Sequence, residues 1–247
     1  MYPAEWHKIY GDKTGESARR ILPPLIELFG ARSLVEVGCG NGHWTQAALD
    51  CGVSDYWVID GPWNNRDHLL VDRERFIQAD LASPLCLPAR SDMALCLEVA
   101  EHVRGESAET IVRSLADASD VVVFGAAIPF QGGHGHINER WPSWWREHFA
   151  KLGYKPFDLV RPRHWSDDAI HYWYRQNIFV YVNEQNIHAS SIAADAERAS
   201  SGMLFDAVHP EKFEEVASYR SISLKRLLTR LPSWASMRVR SKLAGRG

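Results

Sequence analysis

The segment Glu98-Val99-Ala100-Glu101-His102 puts two carboxylates and an imidazole within one short stretch. If a helix begins near Glu98, the three stand at i, i+3 and i+4 and share a face. Carboxylates and imidazoles move protons near neutral pH and ligate divalent cations, so such a face suits either chemistry. Downstream, Phe130-Gln131-Gly132-Gly133-His134-Gly135-His136-Ile137-Asn138-Glu139-Arg140-Trp141 is a glycine-rich loop that carries two more histidines and a further carboxylate.

Apolar runs of strand length must position these groups. Residues 92–97 read as a strand that delivers Glu98 at its C-terminal end. Residues 120–128, broken by Pro129, read as a central strand just ahead of the glycine-rich loop. Further strands are expected at Leu34, Val35 and Val37 and at 56–61, 75–81, 154–160 and 177–182. Between them, Ile21, Leu22, Leu25, Ile26 and Phe29 recur at helical spacing, and Pro23-Pro24 predicts a kink or restart there. Residues 45–51 and 106–118 read as helices, and Pro142 suits the first turn of another. Strands alternating with helices predict an α/β fold with a mostly parallel sheet, whose ligand crevice lies beyond the strand C-termini, where Glu98, Glu101 and His102 converge.

At the end of the first strand stands Val35-Glu36-Val37-Gly38-Cys39-Gly40-Asn41-Gly42-His43-Trp44. Its third glycine comes one residue too early for the dinucleotide pattern G-x-G-x-x-G, a poor fit to NAD. About twenty residues on, Asp60 ends a strand, where βαβ folds place a carboxylate for ribose hydroxyls. Asp80 ends the next. The glycine turn resembles the first motif of the Rossmann-like (class I) S-adenosylmethionine-dependent methyltransferases, and Asp80 is similar to that family's adenine-binding acid. The resemblance implies a seven-stranded, mostly parallel sheet with an antiparallel last strand and helices on both faces. It also implies a cofactor site formed by Glu36, Gly38, Gly40, Gly42, Asp60, Asp80, Leu81 and Glu98.

Glu-x-x-Glu-His with a later histidine resembles two groups of magnesium-dependent O-methyltransferases, the small-RNA 3′-terminal 2′-O-methyltransferases and the ubiquinone-pathway enzymes. The correspondence implies Glu98, Glu101, His102 and His136 as ligands of Mg²⁺ or another divalent cation, with Glu101 and His102 catalytic and His134 available as general base. A cation bound to a sugar hydroxyl lowers its pKa, and two neighbouring hydroxyls chelate best. The aromatic, polar segment 164–176 could line a carbohydrate site or pack on the core. Trp173-Tyr174-Arg175-Gln176-Asn177 is similar to a segment of methyltransferases of bacterial glycan biosynthesis, the enzymes of methylated mannose polysaccharides being one kind. The expected activity is therefore methyl transfer to a sugar or oligosaccharide hydroxyl. The alternatives are an RNA 2′-O-methyltransferase, a quinone or catechol O-methyltransferase, and a cofactor-binding subunit without catalysis.

Composition bounds the rest. In 247 residues with 45% hydrophobic content, one full α/β core is expected, and no run is long enough to span a bilayer. The N-terminus lacks the parts of a signal peptide, which predicts a cytoplasmic protein. The four cysteines form no C-x-x-C pair and read as buried reduced thiols. Net charge is −3, but residues 219–247 hold eight Lys or Arg and no acids, leaving 20 basic against 31 acidic residues in the body. That body argues against a polyanion ligand. The domain is expected over 1–185, with 186–247 a helical extension ending in a basic tail. The amphipathic piece at 220–231 reads as a solvated helix or partly disordered tail, with weak peripheral membrane contact as the alternative.

Overall fold

The structure is a computed structural model that describes residues 4–200 and 204–217, with side chains from residue 11 onward. The basic tail and its amphipathic piece lie outside the described residues. The chain divides into two compact units, Met1–His209 and Pro210–Gly247. The second contributes a described helix, α8 (Pro210–Ala217), in which Lys212 pairs with Glu215 at 3.0 Å.

The first unit is built on a seven-stranded sheet: β1 (Ser33–Val37), β2 (Asp55–Asp60), β3 (Phe76–Gln78), β4 (Met93–Leu97), β5 (Val121–Gly125), β6 (Tyr154–Phe157) and β7 (Phe179–Asn183). The spatial order is β3-β2-β1-β4-β5-β7-β6, parallel except for β7, which runs antiparallel to both β5 and β6. This is the Rossmann-like architecture expected from the sequence. Order reverses between β1 and β4, which pair through Leu34↔Met93 and Glu36↔Leu95, so a crevice opens beyond their C-termini. Gly38 follows β1 there, and Glu98 follows β4.

Alternate residues explain why both faces are covered. Leu34, Met93, Leu95, Val121, Val123, Val180 and Val182 pack with α1 (Ala4–Phe29), α2 (His43–Asp50) and α7 (Ile187–Arg198), through Ile21, Leu22, Leu25, Trp44 and Ala189. Val35, Val37, Ala94, Cys96, Val122, Phe124 and Tyr181 pack with α3 (Ala108–Ala118) and α4 (Pro142–Ala150), through Ile111, Val112, Leu115, Trp145 and Phe149.

Some expectations change. Helix α1 runs through Pro23 and Pro24 without a restart. The carbonyls that lose N–H partners belong to the exposed Arg19 and Arg20, where water can take them. The stretch after 185 begins with a helix, α7, that packs on the body, and the first unit continues to His209. Cys39 and Cys96 are buried, but Cys86 is exposed. No helix among the described residues is long and apolar enough to cross a membrane.

Candidate active site

The crevice is a cavity of ≈ 960 Å³. Its walls include the glycine turn, the strand-end acids Glu36, Asp60 and Asp80, Leu81, the Glu98–Arg104 segment, the loop from Gln131 to Ile137, and Tyr172, Trp173 and Tyr174.

The glycine turn is locked from both sides. Gly38 has φ +78°, and a Cβ there would lie 2.3 Å from Val99 Cγ2, so the turn packs directly against the segment that carries Glu101. Gly42, at φ +81°, is the N-cap of α2. Glu36 Oε2 accepts from Thr45 N (3.0 Å) and Thr45 Oγ1 (2.5 Å), tying the end of β1 to the first turn of α2. Burial pushes its carboxyl up to about 8. Asp60 likewise serves the turn: Oδ2 accepts from Gly40 N (2.8 Å) and Asn64 Nδ2 (3.0 Å), and Oδ1 from Gly61 N (2.7 Å). Asp80 makes an Asx turn, accepting from Ala82 N and Ser83 Oγ (3.0 and 3.1 Å). Of the predicted cofactor residues, Glu36, Gly38, Gly40, Asp60, Asp80, Leu81 and Glu98 line the cavity and Gly42 does not.

The second cluster differs from expectation in its backbone. No α-helix starts at Glu98. Its φ is +55°, uncommon without glycine, and Ala100–His102 forms a single 3-10 turn. The sequence could not reveal that reversal, because glutamate is an ordinary helix former. Glu98 lines the same cavity, and both of its oxygens are held by amides. Its Oε1 accepts from Asn177 Nδ2 (2.8 Å) and its Oε2 from Gln131 Nε2 (2.7 Å). Burial raises its carboxyl to about 7, against these donors.

Glu101, His102 and His136 do converge, with ligand atoms all within 4.8 Å of one another. Glu98 is not in that group, a correction to the expected set of four. Glu101 is fully buried, and neither carboxylate oxygen has a hydrogen-bond partner. The N–H groups of Glu101 and Ala127 oppose the rise in its pKa without making full hydrogen bonds; burial, then the charge of Glu98, drives the carboxyl well above its usual range. Burial and His136 push His102 down to about 4, so its ring is neutral. His136 Nε2 lies 3.9 Å from Glu101 Oε1, while its Nδ1 meets Glu139 Oε1 at 3.1 Å. Glu139 also accepts from Phe130 N (2.8 Å) and Gly132 N (2.6 Å), curling the loop around itself. His134 is exposed at the cavity wall.

The aromatic segment divides. Tyr172, Trp173 and Tyr174, the first residues of α6 (Tyr172–Asn177), line the cavity, with His171 stacked on Trp173 at 4.0 Å. Arg175, Gln176 and Asn177 are buried. The sequence reading missed Asn64, Trp63, Gln131 and Asn177. Trp63 lies over Gly61, whose Cβ would meet its ring at 2.2 Å, and it lines the cavity half-exposed. An aromatic just after a strand-end acid was the available signal.

Strand order and a glycine-bearing switch-point cavity define a Rossmann-like methyltransferase fold. Residues 10–151, more than half of the chain, match the family described as methyltransferase domain, and the chain belongs to that family. It is an S-adenosylmethionine-dependent methyltransferase. No curated protein sequence matches. Among solved structures, the chain is similar to the sugar N-methyltransferase KedS8 from Streptoalloteichus sp ATCC 53650, at 16% identity and TM-score 0.51, covering 68% of this chain and 87% of that one. It is similar to magnesium protoporphyrin IX methyltransferase (ChlM) from Synechocystis PCC 6803 with bound SAH, at 15% identity and TM-score 0.50, covering 72% and 92%. A bacterial Hen1 methyltransferase domain gives 15% and 0.50, covering 68% and 97%. These likenesses establish the fold.

Proposed function

We propose that this chain is a metal-assisted O-methyltransferase that moves the methyl group of S-adenosylmethionine to a hydroxyl with a neighbouring hydroxyl on a sugar or glycan. The observation that supports it is Glu101, with two buried, undonated carboxylate oxygens beside His102 and His136 in the cavity that the glycine turn also lines. A buried carboxylate without donors is costly, and a cation offsets that cost. The ring of His102 is neutral at neutral pH, the form of imidazole that ligates metal ions. Carboxylate with imidazole suits Mn²⁺ at least as well as Mg²⁺.

Glu101, His102 and His136 are the residues that would hold the ion, with Glu98 beside them. A divalent cation held there would supply Lewis-acid polarisation of an acceptor hydroxyl, lowering its pKa. The chain's own groups supply the rest. Asp60 and the glycine turn bind the nucleoside end, and Tyr172 and Trp173 offer flat faces to sugar C–H groups. His134 takes the hydroxyl proton as the oxygen–carbon bond forms and the carbon–sulfur bond breaks.

The test titrates Mn²⁺ into wild type and Glu101→Gln, followed by electron paramagnetic resonance, and assays turnover on vicinal-diol sugars. Wild type should bind Mn²⁺ and the variant lose it, with affinity for S-adenosylhomocysteine nearly unchanged. Equal turnover with and without a chelator would remove the metal from the mechanism.

A further inference from the structure

The hydrogen bonds behind Glu98 run in one direction. Gln131 gives its Nε2 to Glu98, and its Oε1 accepts from Asn177 Nδ2 (2.9 Å) and Gln176 Nε2 (3.3 Å). Gln176 Oε1 accepts in turn from the main-chain N–H of His209 (2.7 Å). All three amides are buried. A side-chain amide can turn over, exchanging oxygen for nitrogen. Here a main-chain donor at one end and a carboxylate at the other leave Gln176 and Gln131 a single orientation each.

That donor belongs to the segment 204–209, which lies beyond the span matched by the family. The segment is tied down along its length. Buried Arg161 donates to the carbonyls of Leu204 and Phe205, both at 2.9 Å. Asp206 accepts from Ser143 N (2.9 Å) and Ser143 Oγ (2.6 Å), and the His209 ring meets Trp165 O at 2.8 Å.

We propose that the segment 204–209 and Gln176 are positioning elements of the active site: the His209 N–H starts a one-way relay that fixes the Glu98 carboxylate in the cofactor cavity. The relay also holds Glu98 in its left-handed backbone, since both of its oxygens are gripped by amides from other elements. The proposal rests on the reading of the cavity as an S-adenosylmethionine site.

The experiment titrates S-adenosylhomocysteine into the full chain by calorimetry. Glu98→Gln and Gln176→Leu should each weaken binding on the order of tenfold. The double variant should bind no more weakly than Glu98→Gln alone, because both changes act through one carboxylate. His209→Pro, which removes the N–H, should follow Gln176→Leu and reads the same relay if that variant fails to fold. His209→Ala keeps the N–H but loses the ring's bond to Trp165 O, so it should weaken binding less than His209→Pro. Multiplying losses in the double variant, or Gln176→Leu and His209→Pro both binding like wild type, would overturn the relay. Wild-type protein that takes up no S-adenosylhomocysteine would overturn the functional reading itself.

Discussion

Gly38→Ala tests how tightly the cofactor turn is locked to the Glu101 segment. The new Cβ would sit 2.3 Å from Val99 Cγ2, 2.7 Å from Cγ1 and 3.0 Å from Cβ, at φ +78°. A left-handed alanine costs about 1–2 kcal/mol and overpacking about 1–3 kcal/mol, so the loss should be about 2–5 kcal/mol. Val99 has little room to give, being β-branched and only 8% exposed. It leads directly into the turn that bears Glu101 and His102, so the strain should reach both sites. Val99→Ala removes the two clashing methyl groups and costs about 1.6 kcal/mol alone. In the double variant the two closest contacts are gone and only the 3.0 Å approach to the Cβ of residue 99 remains, while the backbone cost stays. The double should therefore be less destabilised than the sum of the singles by about 1–3 kcal/mol. Urea unfolding of the three variants measures this directly. Energies that add to within about 0.5 kcal/mol would refute the reasoning, because the two residues would then not share a contact.

Stability should depend on pH in an unusual sense. Burial lifts Glu36 to about 8 and Glu98 to about 7, and holds Glu101 well above the ordinary value of 4.5. In the folded, ligand-free state these three carboxyls bind more protons than in the unfolded chain, so their contribution to stability is full below about pH 4.5 and is lost as pH rises towards 8, while His102, pushed down to about 4, works in the opposite sense below about pH 6.5. Urea midpoints should therefore decline from about pH 6.5 to 8, and a flat or rising profile there would contradict the burial argument. Asp60→Ala leaves the N–H groups of Gly40 and Gly61 without their acceptor, which should cost about 1–3 kcal/mol and weaken S-adenosylhomocysteine. An unchanged dissociation constant would mean that the ribose acid lies elsewhere.

The sheet was legible because its signals are local. Gly38, Gly40 and Gly42 announce a strand-to-helix turn, and runs such as Val121–Gly125 are apolar enough to require cover on both faces. The site was legible only where neighbours in sequence are neighbours in space. Glu101 and His102 share a turn, and His136 was placed beside them by resemblance. Glu98 departed because one positive φ redirected it, and nothing in its residue type signals that. Gln131 and Asn177 were unreadable for another reason: each hydrogen-bonds Glu98 across many residues, and a polar side chain in an apolar run does not say which distant group it satisfies. Helix α7 falls in the expected helical extension, but its packing on the body was not read, because Ala and Ser blur the apolar face that would announce it.

Glu139 leaves one last mark. A carboxylate can only accept, so the Nδ1 of His136 that meets it must carry the hydrogen, which assigns the tautomer of the ring. The electron pair is then left on Nε2, on the side of Glu101. The side chain that curls the loop has also chosen which nitrogen of His136 is basic, ahead of any ligand's arrival.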